Sequence, residues 1–177
     1  MNLPPDAIFR INMAWCDSID EFENILNTHK NNKFFVDLPI KRVKPPNNKY
    51  TIEDLIPIIK SHDNIRYFAI SNVESSDDLK KYIEILPPSI SIVPKIESPT
   101  AVDNIENIIN ALPNEKIVML DHDDLFSSLL KQNKPPSDFK EYIKNLITFC
   151  EKNNVILLRT IGVVFSDSEK RISQYIK

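Results

Sequence analysis

Glycine is nearly absent: Gly162 is the only one in 177 residues. That excludes every phosphate-binding loop built on clustered glycines, of the nucleoside-triphosphate or the dinucleotide kind. It also leaves Asn or Asp to fill any tight turn that needs positive φ. Cysteine is scarce as well. Cys16 and Cys150 lie far apart, and reduced thiols in a cytoplasmic protein are the expectation. No apolar run approaches the ~20 residues of a membrane span, so no membrane association is expected. Residues 1–6 have neither a basic start nor an apolar stretch, and a signal peptide is not expected there. Basic residues number 22 against 25 acidic ones, for a net charge of -3. Such a balance offers no broad basic field, which argues against nucleic acid as a partner.

What is present is an ordinary globular balance, 42% hydrophobic and 27% charged, together with 13 prolines. Short apolar runs alternate with amphipathic stretches. Strands are expected at 7–12, 33–38, 66–71, 90–96, 116–121 and 154–160. Helices are expected at 18–29, 51–61, 76–86, 99–112, 137–153 and 167–176, with a short helical piece near 124–131. Thr51 and Asp54 form a capping-box pattern at the start of one of them. Strands separated by helices imply a parallel sheet with right-handed crossovers, and the nearly continuous apolar runs imply burial on both faces. The expected architecture is a single TIM-barrel-like α/β domain over residues 1–177, possessing about six strands. A complete eight-stranded barrel typically needs ~250 residues.

Polar residues collect where the strands end: Arg10 and Asn12, Asp37, Ser71, Lys95 and Glu97, the run Asp121–Asp124, and Thr160. Parallel α/β proteins build their sites at strand C-termini. Lys95 and Glu97 are two apart, so they point to the same side of their strand, and neighbouring strands lie ~4.8 Å apart. Glu97 and one of the aspartates at 121–124 are therefore placed to share a divalent cation, with Lys95 beside it. The alternative is a solvated acidic rim with a salt bridge. His122 sits among these acidic residues and is a candidate for titration near neutrality. His29 and His62 follow helices and are read as helix-end residues. Cys16 lies near the strand-end site mouth without a partner histidine. Cys150 is read as core and Trp15 as packing at a strand end. The basic loop 41–49, with Pro45-Pro46, is a candidate lid or linker.

The run Ile92-Val-Pro-Lys-Ile-Glu-Ser98 followed by AVDNIENII resembles the Lys-Ile-Glu strand and helix of the pyruvate kinase catalytic barrel. Other segments follow in the same order: Arg10-Ile-Asn12, FFVDLP at 34–39, YTIEDL at 50–55, FAISNVESSDDL at 68–79, VMLDHDDL at 118–125 and FCEKNNVILLRT at 149–160. The likeness covers roughly residues 5–168. The wider phosphoenolpyruvate/pyruvate superfamily also holds aldolases and citrate-lyase β-like enzymes, whose metal aspartate is followed by leucine and small residues. Asp124-Leu-Phe-Ser-Ser128 is similar to that.

This resemblance implies that Glu97 and Asp124 bind Mg²⁺ or Mn²⁺. It implies that Lys95 stabilises an enolate and that Thr160 sits at the proton-transfer face. Arg10 would hold a phosphate or carboxylate with help from Arg42, and His122 and Asp123 would lie against the substrate. Asn12 and Asp37 would belong to a K⁺ site. The implied substrate is pyruvate, phosphoenolpyruvate or a related 2-oxo acid, and the implied reaction an aldol-type cleavage or a pyruvyl or phosphoryl transfer.

The departures are specific. Asp123 stands where the family has a glycine, His122 where it has an arginine, and Ala14-Trp15 where it has Ser-His. Only ten residues separate Pro39 from Tyr50, so the nucleotide-covering lid is absent and kinase activity is not expected. A barrel-derived binding or assembly module without catalysis is the alternative. In either case a homo-oligomer or a partner chain is expected to cover the open strand edges.

Overall fold

The computed structural model describes residues 7–40, 46 and 48–159. Arg42, Thr160, the expected helix at 167–176 and most of the basic loop lie outside them. The described chain is a TIM-barrel-like α/β fold of six strands in sheet order β1-β2-β3-β4-β5-β6. The strands are β1 (Ile8–Asn12), β2 (Lys33–Leu38), β3 (Ile65–Ile70), β4 (Ser91–Ile96), β5 (Ile117–Leu120) and β6 (Ile156–Arg159). Between them lie α1 (Ile19–Thr28), α2 (Ile52–Ser61), α3 (Asp77–Ile85), α4 (Pro99–Asp103), α5 (Ile105–Ala111), α6 (His122–Lys131) and α7 (Phe139–Lys152). The chain condenses as two compact units.

The first unit contains β1, β2, β3, the start of β4, α1, α2 and most of α3. Its strands pair in parallel, with Arg10 opposite Phe35 and Asn12 opposite Asp37. Every residue of β2 after Lys33 is buried, as the continuous apolar run requires. Helix α1 starts where the Ser18 hydroxyl accepts the Glu21 amide at 3.0 Å, and buries Phe22 and Leu26, four apart on one face. Helix α2 carries the expected capping box: the Thr51 amide donates to Asp54 at 2.7 Å, and the Asp54 amide to the Thr51 hydroxyl. His29 and His62 close α1 and α2, as read from sequence.

The second unit contains the end of β4, all of β5 and β6, and helices α4 to α7. The boundary within β4 falls between Val93 and Pro94, the residue with no N–H to give to a ladder. Here β4 meets β5 through Lys95 opposite Met119 and Ile96 opposite Leu120, and β5 pairs with β6 in parallel. Helix α7 buries Phe139, Ile143, Leu146 and Cys150, a stripe spaced by four, three and four residues.

Four sequence expectations change. The helix expected at 99–112 is two helices: Asn104 leaves the helical path, its amide donates to Thr100 and Val102 carbonyls, and its side chain donates to the Glu74 carbonyl at 2.9 Å. The helical piece expected at 124–131 begins at His122, because Asp121 caps it. Burial on both faces holds for β2, β4 and β5 but not for the outermost strands, where Ile8 and Ile156 are 45% and 52% exposed. Trp15 does not pack at the strand end; it closes a 3₁₀ turn and is 70% exposed.

Every described residue with positive φ is an asparagine: Asn72 at 57°, Asn133 at 55° and Asn154 at 54°. A chain almost without glycine uses the one other residue type that enters the left-handed region at modest cost.

Candidate metal centre

The site of the second unit grows out of two strand ends. Lys95 sits in β4 with Glu97 just past its end, and Ser98 then caps α4 by accepting the Ala101 amide at 3.1 Å. Pro99 at the first helical position fits that start. The helix begins immediately, so Glu97 is held between a strand and a helix start. On the next strand, β5 ends at Leu120 and Asp121 caps α6, its carboxylate accepting the Asp124 amide at 3.3 Å. The cap makes Asp124 the third residue of the helix, which sets its side chain beside that of Asp121. The Asp121 amide itself donates to the Ile96 carbonyl at 3.3 Å, tying the two strand ends together.

Carboxylate oxygens of Glu97, Asp121 and Asp124 consequently all lie within 4.8 Å of one another. The Lys95 ammonium is 2.6 Å from Glu97 Oε1 and 3.9 Å from Asp121. Glu97 Oε2 accepts the backbone amide of Asn72 at 2.7 Å. Lys95 and Glu97 are buried, whereas Asp121 and Asp124 are partly open to solvent. Burial pushes the Glu97 carboxyl above its ordinary value; Lys95 and the Asn72 amide act against that rise, and Asp121 adds to it.

Three carboxylates against one ammonium leave the cluster net negative. Hard oxygen donors suit a divalent cation such as Mg²⁺ or Mn²⁺, which needs one or two carboxylates and fills its octahedron with water and substrate oxygens; the three here supply at least that many. The residues present therefore fit a divalent cation. Among the described residues this is the one group of three or more acidic, His or Cys side chains close enough to share an ion.

The other expected site residues fall as follows. His122 opens α6 half-buried, and its pKa is lowered by desolvation and by Arg159, with Asp121 and Asp123 pulling the other way. Asp123 is exposed, and its backbone carbonyl accepts the Ser127 hydroxyl at 2.8 Å. In the first unit, the Arg10 guanidinium grips the fully buried Asp37, with Nε 3.1 Å from Oδ2 and a terminal nitrogen on the same oxygen. Asn12 uses its side-chain oxygen to accept the Ala14 amide at 3.0 Å, capping the 3₁₀ turn Met13–Trp15. Cys16 is buried, and desolvation, Glu21 and Asp17 push its thiol up to about 11, as is usual for a buried structural cysteine. Cys150 is core, as expected, with its thiol likewise at about 11.

Sequence reasoning places one aspartate of 121–124 beside Glu97; the structure brings two, Asp121 and Asp124, joined through the Asp-x-x-Asp spacing of an N-cap and its third residue. Asn72 escapes it: it fixes Glu97 from a distant loop, which no local pattern reveals.

No family model matches this chain, and no curated protein sequence does. Solved structures do match its fold. RipC from Yersinia pestis superposes with a TM-score of 0.62 at 14% identity, over 90% of this chain and 72% of the other. The HpcH/HpaI aldolase from Desulfitobacterium hafniense DCB-2 gives 0.61 at 16% identity, over 89% and 70%. At such identities the likeness is one of fold. Among the described residues, no helix is long and apolar enough to cross a membrane.

Proposed function

We propose that the chain is a divalent-metal-dependent enzyme of the phosphoenolpyruvate/pyruvate type, acting on a small 2-oxo acid through its enolate, with aldol-type cleavage as the reaction. The observation that carries this reading is the carboxylate cluster of Glu97, Asp121 and Asp124, with its buried lysine, at two adjacent strand ends. The fold it shares with a protein described as an aldolase supports the lyase side over the kinase side. The absence of a lid between Pro39 and Tyr50 weighs the same way.

In this reading Glu97, Asp121 and Asp124 hold Mg²⁺ or Mn²⁺. The bound cation supplies Lewis-acid polarisation of a 2-oxo group. Lys95 offers a positive charge where enolate oxygen charge develops, and its burial in a region of low permittivity strengthens that effect. The Asn72 amide keeps Glu97 in place and limits its movement during turnover. The N-terminus of α6 opens with His122 and Asp123 behind the Asp121 cap; its acidic first turn suits the cation, and in this reading the substrate carboxylate approaches through the bound cation. Thr160 and Arg42 remain the proposed proton-transfer and substrate-holding residues from outside the described region. Arg10, Asn12 and Asp37, in the first unit, remain proposed as substrate-holding and K⁺-site residues.

The test is exchange of pyruvate methyl protons in heavy water, followed by NMR with Mn²⁺ or Mg²⁺ present. The expected result is exchange that depends on the metal and is lost in E97Q and D124N. A folded wild-type chain that gives no exchange above buffer overturns the enolate reading and favours a binding module that uses the same scaffold without catalysis.

A further inference from the structure

Lys95 stands in an unusual place for a group that helps a metal site. Its ammonium lies 2.6 Å from Glu97 Oε1 and 3.9 Å from an oxygen of Asp121, two of the three carboxylates that form the cluster. The third, Asp124, has a carboxylate oxygen within 4.8 Å of both. An ammonium held so close to two ligand groups neutralises the same charge that a dication would neutralise, and it would repel a dication brought onto the same carboxylate oxygen. The other oxygen of Glu97 is committed to the Asn72 amide at 2.7 Å, so rotation of the carboxylate is restrained and offers the metal no easy second approach.

We propose that Lys95 competes with the divalent cation for Glu97, and that metal binding exchanges the ammonium contact for a metal contact, freeing the ammonium for the substrate. The proposal rests on the metal reading of the preceding subsection. Lys95 then has two duties in sequence. It holds the carboxylates together by charge, and on displacement it presents its positive charge to the enolate oxygen. Nothing covalent changes in the exchange; Glu97 gives up a hydrogen bond and gains a metal–oxygen contact. Asp121, 3.9 Å from Nζ, gives the displaced ammonium a carboxylate to remain near. The arrangement lowers affinity for the metal and couples metal arrival to the readiness of the lysine.

Mn²⁺ titration by calorimetry of the full chain, with K95Q and K95M beside the wild type, separates the outcomes. K95Q keeps a hydrogen-bond donor for Glu97 and removes the charge, so it serves if K95M fails to fold; a thermal melt checks each variant. The expected result is Mn²⁺ binding to the wild type and roughly tenfold or tighter binding to both variants, since a dication is strongly opposed by an ammonium a few ångström away. A purely structural lysine would move affinity the other way, because its loss would loosen the ligands. Equal or weaker binding by folded K95Q overturns the competition and leaves the metal reading standing. No binding to any of the three overturns the metal reading and the competition with it.

Discussion

The Lys95–Glu97 pair makes a quantitative test of how the second unit is held together. Nζ and Oε1 are 2.6 Å apart, and each side chain is 6% exposed. At an effective permittivity near 20, unit charges at that separation attract by ~6 kcal/mol. Removing each ion from water costs several kcal/mol, so the intact pair adds little net stability. Removing one partner is different. K95M leaves Glu97 buried beside Asp121 with no cation between them, and should lower the unfolding free energy by ~3–5 kcal/mol. E97Q should be milder, because Lys95 keeps Asp121 at 3.9 Å. The double variant K95M/E97Q should recover much of the loss, giving a coupling of ~2 kcal/mol or more in the double-mutant cycle. Urea unfolding followed by circular dichroism measures all four proteins, with comparable slopes checking that they unfold alike. A K95M loss below ~1 kcal/mol, or strict additivity of the two single changes, would refute this reasoning.

Further expectations concern single residues. Both thiols rise from 9.0 to about 11 on folding, so they stay protonated in the native state where the unfolded chain would ionise. Their contribution is complete below pH 9 and is lost as pH rises toward about 11. Melting temperature should fall over that window, and a C16S/C150A variant should show a flatter decline. The single tryptophan, Trp15, is 70% exposed. Its fluorescence should be quenched readily by acrylamide in the native protein, and W15A should change stability by no more than ~0.5 kcal/mol; a shielded, blue-shifted emission would contradict the exposed placement. Asn72 sits at φ 57°. N72A should cost ~1–2 kcal/mol while N72G is tolerated, measured by urea unfolding; equal stability of the two would mean the left-handed backbone is not the constraint.

Much of this was legible in the sequence, and for identifiable reasons. FFVDL at 34–38 and SIVPKI at 91–96 are short, mostly apolar runs bounded by polar residues, the pattern of a strand buried on both faces. The Thr51/Asp54 box marks a helix start by its own hydrogen bonds. The side-by-side placement of Lys95 and Glu97 follows from the two-residue repeat of a strand. What was not legible depended on contacts between distant segments. Asn104 breaks a helix whose local pattern is unbroken, because the Glu74 carbonyl takes its side chain. The Asn72 amide reaches Glu97 across 25 residues of sequence. Asp121 reads locally as one of several strand-end aspartates, and only its capping bond to the Asp124 amide decides which of them turn toward Glu97. The resemblance to the pyruvate kinase barrel pointed to a TIM-barrel-like scaffold, and the solved structures that match share that fold at low identity.

The most direct measurement is an anomalous difference map from a crystal grown with Mn²⁺ and oxalate, a planar mimic of a pyruvate enolate. The expected result is one strong peak bounded by Glu97, Asp121 and Asp124, with oxalate against it and the Lys95 ammonium moved off Glu97 Oε1. A well-ordered map with no peak among these three carboxylates, and the Lys95–Glu97 contact intact, would contradict the metal centre on which the proposed function stands.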